Sequence, residues 1–415
     1  MLEPRMLINK SPKPHLKSSL KPGLFNSEEW RHLSLLASVF MLRILGLMMA
    51  MPVLSRYAGS LAGSNPQKIG LILGAYGLMQ ALLQFPMGWL SDRWGRFPVL
   101  MWGMFALILG SVFSALAETA NGLFLGRTIQ GLSAIGGVMM ASVADGTRPQ
   151  VRAKAMGFLG FGLGMAFMFS ICLGPLLSAS YSIQTLFWLT AVLGIFNLIL
   201  LACFYKERKI RDPEFKPAFG SSFVLDLTLI KFNLGACILH AGLILLFYKL
   251  EFLWRAHFDH DFSYAQGLAL SVTLGLIGAV FLIQRQSTFS TKSWFFLVVA
   301  WMIAQAFIFG TKQKALFLVG LVIYFAVFST LEAALPAAIS RQSSLERRGA
   351  NMGIHHSMLF LGVFFGSLFI GYAAKLEQGF FILSQVLGFF WLFVLKWPQA
   401  LTTNKKEVIY HGKRR

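Results

Sequence analysis

The chain has 415 residues, of which 56% are hydrophobic and 13% are charged, and its mean hydropathy is +0.64. A soluble protein carries roughly 25% charged residues, so the composition excludes a soluble globular domain and predicts an all-α membrane protein. A net charge of +20 is compatible with nucleic-acid binding. We expect it instead to come from Lys and Arg in cytoplasmic loops, and we expect no nucleic-acid partner.

The apolar residues form twelve runs of roughly 20 residues, the length that a helix needs to cross the hydrocarbon core. The predicted spans, numbered 1 to 12 in chain order, are 33–56, 69–90, 98–117, 121–144, 154–178, 184–205, 229–250, 264–283, 294–311, 315–338, 351–374 and 379–400. A polar break at 206–228 divides them into two six-helix bundles, 33–205 and 229–400. We interpret this break as a cytoplasmic linker, and 1–32 and 401–415 as cytoplasmic tails.

Lys and Arg fall mainly on one side of these spans. With both chain ends placed inside, the inner segments hold 26 of these residues and the outer loops hold 7. Positively charged loops stay on the cytoplasmic side of a membrane, so this bias predicts that both termini are cytoplasmic.

The sequence shows none of the usual signatures of an enzyme. Each of the three cysteines, Cys172, Cys203 and Cys237, lies inside an apolar run, without the paired spacing of a disulfide or metal site. We find no phosphate-binding glycine loop and no pattern of a nucleophile with a base. We therefore expect no enzymatic activity, no cofactor and no metal. A multi-pass acyl- or glycosyltransferase would need clustered acids or histidines at one face, which the sequence lacks.

One short polar stretch separates spans 2 and 3. Gly88, Asp92, Arg93, Gly95 and Arg96 fall within nine residues, between two long runs without charge. A simple connection between apolar helices rarely concentrates so many charges and glycines. We interpret this stretch as a conformational latch in a secondary transporter.

The same stretch resembles motif A of the major facilitator superfamily. Further motifs of that family follow at the helices where they are expected. Residues 125–131 in span 4 resemble motif B, and Gly164 with Gly174 and Pro175 in span 5 resembles motif C. In span 1, Leu45-Gly46 with Pro52-Val53 resembles the motif of drug:proton antiporters. The chain thus resembles the superfamily over its whole membrane region, and most closely the YajR-like branch of its drug:proton antiporter family.

This resemblance implies a fold of two six-helix bundles, a bacterial inner membrane location and export of a small molecule in exchange for protons. It also implies that Gly164, Gly174 and Pro175, as the antiporter motif, close a leak path. Some positions depart from the family. Phe97 stands where a basic residue is usual. The second bundle has only a remnant of motif A at 284–286, and we expect the soluble C-terminal domain of that branch to be absent.

The resemblance implies that Asp92, Arg96 and Asp145 form a charge-relay cluster. Free backbone N–H groups at the start of a helix favour an anion, so Asp92 can face the start of span 11 at Asn351. Gly88 and Gly95 would let the two backbones approach closely. This contact would hold the two bundles together on the cytoplasmic side.

Two arginines are predicted to lie inside the membrane. A lone arginine at the bilayer centre costs at least about 2.5 kcal/mol, so each needs a cavity or a partner. Arg127 matches the motif B arginine, which the resemblance ties to proton coupling, although pairing with backbone carbonyls would also explain it. Arg43 could bind an anionic substrate group or the C-terminal end of a helix.

Glu332 is the leading candidate for carrying a proton, because it is the only acid well inside a span of the second bundle. His240 is the second candidate, since histidine titrates near physiological pH. Each could instead be a hydrogen-bonded structural group.

We therefore expect a monomeric, proton-coupled antiporter in a lipid bilayer, working by alternating access on a small-molecule substrate. The alternatives are a symporter or uniporter of a polar or anionic metabolite, and a membrane receptor or scaffold on the same fold.

Overall fold

The computed structural model describes residues 24–207, 227–258, 264–284, 290–343, 348–376 and 378–396. The helices in these ranges are α1 Ser27–Met49, α2 Met51–Ser60, α3 Pro66–Trp94, α4 Arg96–Ala115, α5 Ala120–Gly131, α6 Gly136–Asp145, α7 Pro149–Ser180, α8 Ile183–Phe204, α9 Leu227–His257, α10 Tyr264–Gln284, α11 Thr291–Gly310, α12 Lys314–Gln342, α13 Arg348–Leu368, α14 Ile370–Ala373 and α15 Gly379–Lys396. Twelve stretches are long and apolar enough to cross a membrane. The predicted count of twelve spans and the all-α fold are confirmed.

Some spans consist of two helices. Span 1 is α1 followed by α2, with a turn at Ala50 just before Pro52. Span 4 is α5 followed by α6, and residues 132–135 between them are not helical. A break inside a span frees backbone groups where no water can reach them, so side chains must bind those groups.

The first helix begins earlier than predicted, at Ser27 rather than residue 33. Asn26 accepts a hydrogen bond from the Glu29 backbone N–H at 2.6 Å, and the Glu29 carboxylate accepts one from the Asn26 N–H at 2.9 Å. This reciprocal cap stabilises the helix start. The tail residues 1–23 and 401–415, the linker residues 208–226 and the end of predicted span 12 at 397–400 lie outside the described residues, as does most of the motif A remnant at 284–286.

We call the end of the molecule where α1 begins and α15 ends the inner end, and the opposite end the outer end. Spans 2 and 11 pack closely toward the outer end, where Gly70, Gly74 and Gly77 lie against the backbone and side chains of α13. Toward the inner end, a Cβ atom added at Gly88 on α3 or Gly353 on α13 would meet no described atom within 4 Å. Among the described residues, spans 2 and 11 are therefore in close contact at the outer end and apart at the inner end, as in a conformation closed at the outer end and open at the inner end.

Gly110 offers a test of helix packing inside the N-terminal bundle. A methyl group at this position on α4 would overlap the backbone of Gln130 and Gly126 on α5. We expect Gly110→Ala to lower the free energy of unfolding by about 1–3 kcal/mol, the usual cost of overpacking. The melting temperature of the purified protein in detergent measures this.

Gly157→Ala is the matched control, because a Cβ atom added there, on α7, meets no described atom within 4 Å. Since alanine favours a helix over glycine by about 1 kcal/mol, its melting temperature should be unchanged or higher. Equal losses in both variants would show that the packing of α4 on α5 is not as tight as the structure indicates.

Candidate functional site

The junction between spans 2 and 3 is shorter than the sequence predicts. The helix α3 continues to Trp94 and α4 begins at Arg96, so Gly95 alone connects them. Gly95 has φ of +94°, a region that only glycine adopts readily. The carboxylate of Glu207 lies beside Gly95 and accepts a hydrogen bond from the Arg96 backbone N–H at 3.1 Å. The predicted polar loop is therefore two helices with a single-residue turn.

Arg96, Asp92 and Asp145 lie together, as the resemblance implies. The Arg96 guanidinium contacts the Asp92 carboxylate at 2.5 Å and the Asp145 carboxylate at 2.9 Å. It also donates to the Ser91 hydroxyl at 2.6 Å. The arginine side chain is 13% exposed, whereas Asp92 is 38% and Asp145 30% exposed. The cluster therefore joins α3, α4 and α6, all of the same bundle.

Other residues of the predicted latch lie apart from this cluster. The Arg93 guanidinium stacks on the Trp89 ring at 4.0 Å from its centroid, away from the two acids. Asn351 donates to the Ser343 hydroxyl at 2.8 Å, and within the described ranges no bond joins it to Asp92. Gly88 has open space beside it. The predicted contact between Asp92 and the start of span 11 therefore stays a prediction for a state with the inner end closed.

Phe97, where the family has a basic residue, takes part in an aromatic contact at the inner end. Its ring stacks on that of Tyr205 with centroids 5.9 Å apart. The Tyr205 hydroxyl bonds to the Ser142 hydroxyl at 2.7 Å, and His32 donates to the Ser142 carbonyl at 2.9 Å. Burial raises the pKa of Tyr205 to about 12, so the phenol stays neutral. Packing here replaces the missing charge.

Arg43 binds the break in span 4. Its guanidinium donates to the Ser133 carbonyl, which lies between α5 and α6, and the side chain is 2% exposed. Gln80 on α3 donates to the Gly131 carbonyl at 3.1 Å. Of the two roles expected for Arg43, this contact favours binding to the end of a helix over binding to an anionic substrate.

Arg127 is also buried, at 1% exposure. It donates to the Gln130 side chain at 2.7 Å and lies over the Tyr76 ring at 5.0 Å from its centroid. Gln130 in turn donates to the Ser111 hydroxyl at 2.8 Å. Among the described residues, no carboxylate bonds to Arg127. Its charge is therefore held by dipoles and an aromatic face.

His240 and Glu332, the two candidate proton carriers, lie side by side. The His240 Nε2 atom is 3.6 Å from the Glu332 carboxylate, and its Nδ1 atom bonds to the Ala236 carbonyl at 3.0 Å. The Glu332 side chain is 41% exposed although it lies within span 10. Because His240 belongs to span 7, the most deeply buried span, we interpret this exposure as facing the space between the bundles.

Sequence reasoning missed several partners of this site. Glu207 binds the Arg96 backbone and Tyr205 stacks on Phe97, and no sequence pattern indicated either residue. The Asn26 and Glu29 cap could have been found, since Asn followed three residues later by Glu is a known helix-start signal.

The motif C residues in span 5 behave differently from one another. A Cβ atom added at Gly174 would overlap the Met49 carbonyl, so α7 and α1 approach closely there. The helix continues through Pro175 to Ser180. Gly164 has no described atom beside it within 4 Å. Close packing therefore occurs at Gly174 and not at Gly164 in this conformation.

Within the described ranges, no group of His, Cys, Asp or Glu could hold a metal ion.

A model of the Major Facilitator Superfamily matches residues 36–310. The chain belongs to this superfamily. It is a multi-pass membrane transporter of small molecules and not an enzyme. The inner membrane transport protein YajR of Escherichia coli K12 is 32% identical over 388 residues, which cover 90% of this chain and 85% of YajR. This likeness confirms the resemblance to the YajR-like branch.

A tetracycline resistance protein is also among the relatives. The class B tetracycline resistance protein of Escherichia coli is 30% identical over 179 residues, which cover 41% of this chain and 43% of that protein.

Solved structures share the fold at low identity. A D-xylose-proton symporter matches with a TM-score of 0.68 and 13% identity, covering 89% of this chain and 98% of its own. A bacterial homologue of the human lysosomal transporter Spinster, in an inward-facing and unoccupied conformation, matches with a TM-score of 0.67 and 16% identity, covering 90% and 98%. These structures confirm the major facilitator fold of two six-helix bundles.

The contribution of the charge cluster at the inner end to the stability of the protein can be measured. Arg96→Gln removes both ion pairs, so we expect the free energy of unfolding to fall by about 2 kcal/mol, between the values of an exposed and a buried pair. Arg93→Gln removes the same charge three residues away but only a stacking contact, worth about 0.5–1 kcal/mol. Chemical unfolding in detergent compares the two variants. An equal loss of free energy of unfolding would contradict the conclusion that Arg96 holds the cluster together.

Proposed function

We propose that the protein is a proton-coupled antiporter that exports a small molecule by alternating access. The pairing of His240 with a half-exposed Glu332 carries this proposal. A carboxylate that meets both a titratable imidazole and an open space can exchange a proton and can also meet a substrate. Competition between proton and substrate for one carboxylate is sufficient to couple their movements in opposite directions.

The exposure of the charges favours a cationic or neutral lipophilic substrate over an anionic one. The two arginines of the N-terminal bundle, Arg43 and Arg127, are buried and already bonded to partners. Glu332 is the charge that reaches open space, and the rings of Phe328 and Phe167 stack nearby at 5.9 Å. An apolar surface with one accessible carboxylate suits an organic cation. This arrangement gives little support to the alternative of an anionic metabolite.

The location and orientation follow from the charge bias and from the relatives. We propose that the protein lies in a bacterial inner membrane as a monomer, with both termini in the cytoplasm and the inner end facing the cytoplasm. The excess of Lys and Arg on the inner side supports this orientation. In this orientation the structure is open toward the cytoplasm, where an exporter takes up its substrate.

Transport in proteoliposomes with an imposed pH gradient tests the coupling. A panel of organic cations, neutral compounds and organic anions is offered outside the vesicles. An antiporter accumulates its substrate when the vesicle interior is acidic, whereas a symporter does so when the exterior is acidic. We expect accumulation of a cation or a neutral compound with an acidic interior, and Glu332→Gln should reduce it to the level of protein-free vesicles.

Glu118→Gln is the matched control, because this acid is exposed between α4 and α5, far along the chain from the candidate carriers. It should transport like the unmodified protein. The coupling proposal fails if Glu332→Gln retains full gradient-driven transport, or if the panel contains no compound whose movement responds to the pH gradient.

The inner latch, defined as Asp92, Arg96 and Asp145, has a separate test. We propose that Asp92 contacts the start of span 11 when the inner end is closed. Asp92→Asn should therefore favour the state with the inner end open. Single cysteines replacing Ala144 and Met352, at the inner ends of spans 4 and 11, should then react faster with a soluble maleimide. Unchanged reaction rates at both positions would contradict this role of Asp92.

A further inference from the structure

An ion pair connects the two bundles at the outer end. Arg56 on α2 donates to the Glu251 carboxylate on α9 at 2.8 Å. Arg255, one turn further along α9, donates to the same carboxylate oxygen at 3.2 Å. The Glu251 side chain is 3% exposed, whereas Arg56 is 38% and Arg255 58% exposed. A carboxylate is thus buried at the junction of the bundles with two cationic partners, one from each bundle.

Neighbouring contacts join the same helices. The Ser55 hydroxyl donates to the Phe247 carbonyl on α9 at 3.4 Å, and the Tyr264 hydroxyl on α10 donates to the Pro52 carbonyl at 3.0 Å. All of these N-terminal residues lie on α2, the short helix after the turn at Ala50. The outer half of span 1 therefore docks on the C-terminal bundle through polar contacts.

We propose that Arg56 and Glu251 form an outer latch that holds the outer end closed and must separate in each transport cycle. The inference rests on the alternating access of the proposed function. A buried carboxylate needs strong compensation, and Arg255 is itself 58% exposed, so the shorter contact of Arg56 with Glu251 adds to the stability of the closed state. When the bundles move apart, water reaches both groups and replaces the ion pair.

Arg255 has a different role from Arg56, although both bind the same oxygen. It lies on the same helix as Glu251 and moves with it, so it cannot hold two bundles together. It remains beside Glu251 after the outer end opens and keeps the carboxylate paired. This lowers the cost of opening and makes the latch reversible.

The outer latch and the inner latch are therefore arranged differently in this state. The bonds of the inner latch lie within the N-terminal bundle, between α3, α4 and α6. The outer latch crosses between the bundles. This is the arrangement expected of a transporter that is closed at the outer end and open at the inner end.

Thiol labelling of the purified protein tests the outer latch. Ser367→Cys, in a variant whose native cysteines are serine, places the reporter at a site that is 1% exposed, against Gly74 in the outer contact of spans 2 and 11. Its reaction with a soluble maleimide requires the outer end to open. We expect Arg56→Gln to accelerate labelling about 5- to 30-fold, the factor by which one such interaction shifts a two-state equilibrium.

Three further variants control this result. Arg255→Gln removes a cation from the same carboxylate without crossing the bundles and should label like the reporter alone. Arg56→Lys keeps the charge and should restore slow labelling, which a general folding defect would not allow. Arg56→Gln combined with Glu251→Gln should label no faster than Arg56→Gln alone, because the two residues act through one interaction.

The proposal is overturned if Arg56→Gln leaves labelling unchanged, or if Arg255→Gln accelerates it equally. If Arg56→Gln does not purify as a single species, Glu251→Gln takes its place with the same expectation. Labelling needs neither substrate nor a pH gradient, so failure of the proton coupling in the Glu332 experiment leaves this result independent.

Discussion

The break in span 4 imposes the main constraint on the N-terminal bundle. Residues 132–135 leave the helix in the middle of the membrane, where no water can bind the freed carbonyl groups. Arg43 from span 1 binds the carbonyl of Ser133, and Gln80 from span 2 binds that of Gly131. The buried cation and the buried amide are therefore needed by the fold. Replacing Gln80 with an apolar side chain would remove the partner of the Gly131 carbonyl, whereas the Ser133 carbonyl also accepts the Ile135 backbone N–H at 2.8 Å and would lose only its charged donor with Arg43.

The two bundles differ in how their buried polar side chains are hydrogen-bonded. In the N-terminal bundle, Arg127 donates to Gln130 and Gln130 donates to Ser111, although the Tyr76 hydroxyl is buried without a hydrogen-bond partner among the described residues. In the C-terminal bundle, Glu332 is half-exposed, and Gln305 is fully buried without a hydrogen-bond partner among the described residues. Polar groups that the scaffold does not use are free to bind a substrate or a proton, so the chemistry of transport is expected in the second bundle.

The sequence was sufficient to predict the number and order of the spans, because a membrane requires about 20 apolar residues for each helix. It was poorer at the ends. A chain that extends past the hydrocarbon core can remain helical, as α1 does from Ser27 and α3 does to Trp94. The sequence could not distinguish the one-residue turn at Gly95 from a longer loop, since glycine is common in both.

Contacts between helices that are distant along the chain could not be predicted from the sequence. His240 and Glu332 were each identified as titratable and buried, but nothing in a single sequence showed that spans 7 and 10 bring them together. Arg56 ends predicted span 1 and Glu251 directly follows predicted span 7, and charges at the edges of spans are ordinary and carry little information. The position of each residue within or at the edge of a span could be predicted, whereas its partner depended on packing that only the three-dimensional structure reveals.

The two latches also limit each other in strength. If the outer latch were much stronger than its counterpart, one state would be populated almost alone, and a ligand would need about a 10⁴-fold preference to reverse a 1:99 ratio. Arg56 is partly exposed, and so are Asp92 and Asp145, so solvent reaches one side of each ion pair and limits its strength even though Glu251 is buried. Partial exposure of these charges therefore suits the proposed mechanism, in which binding of one proton or one substrate is enough to exchange the two states.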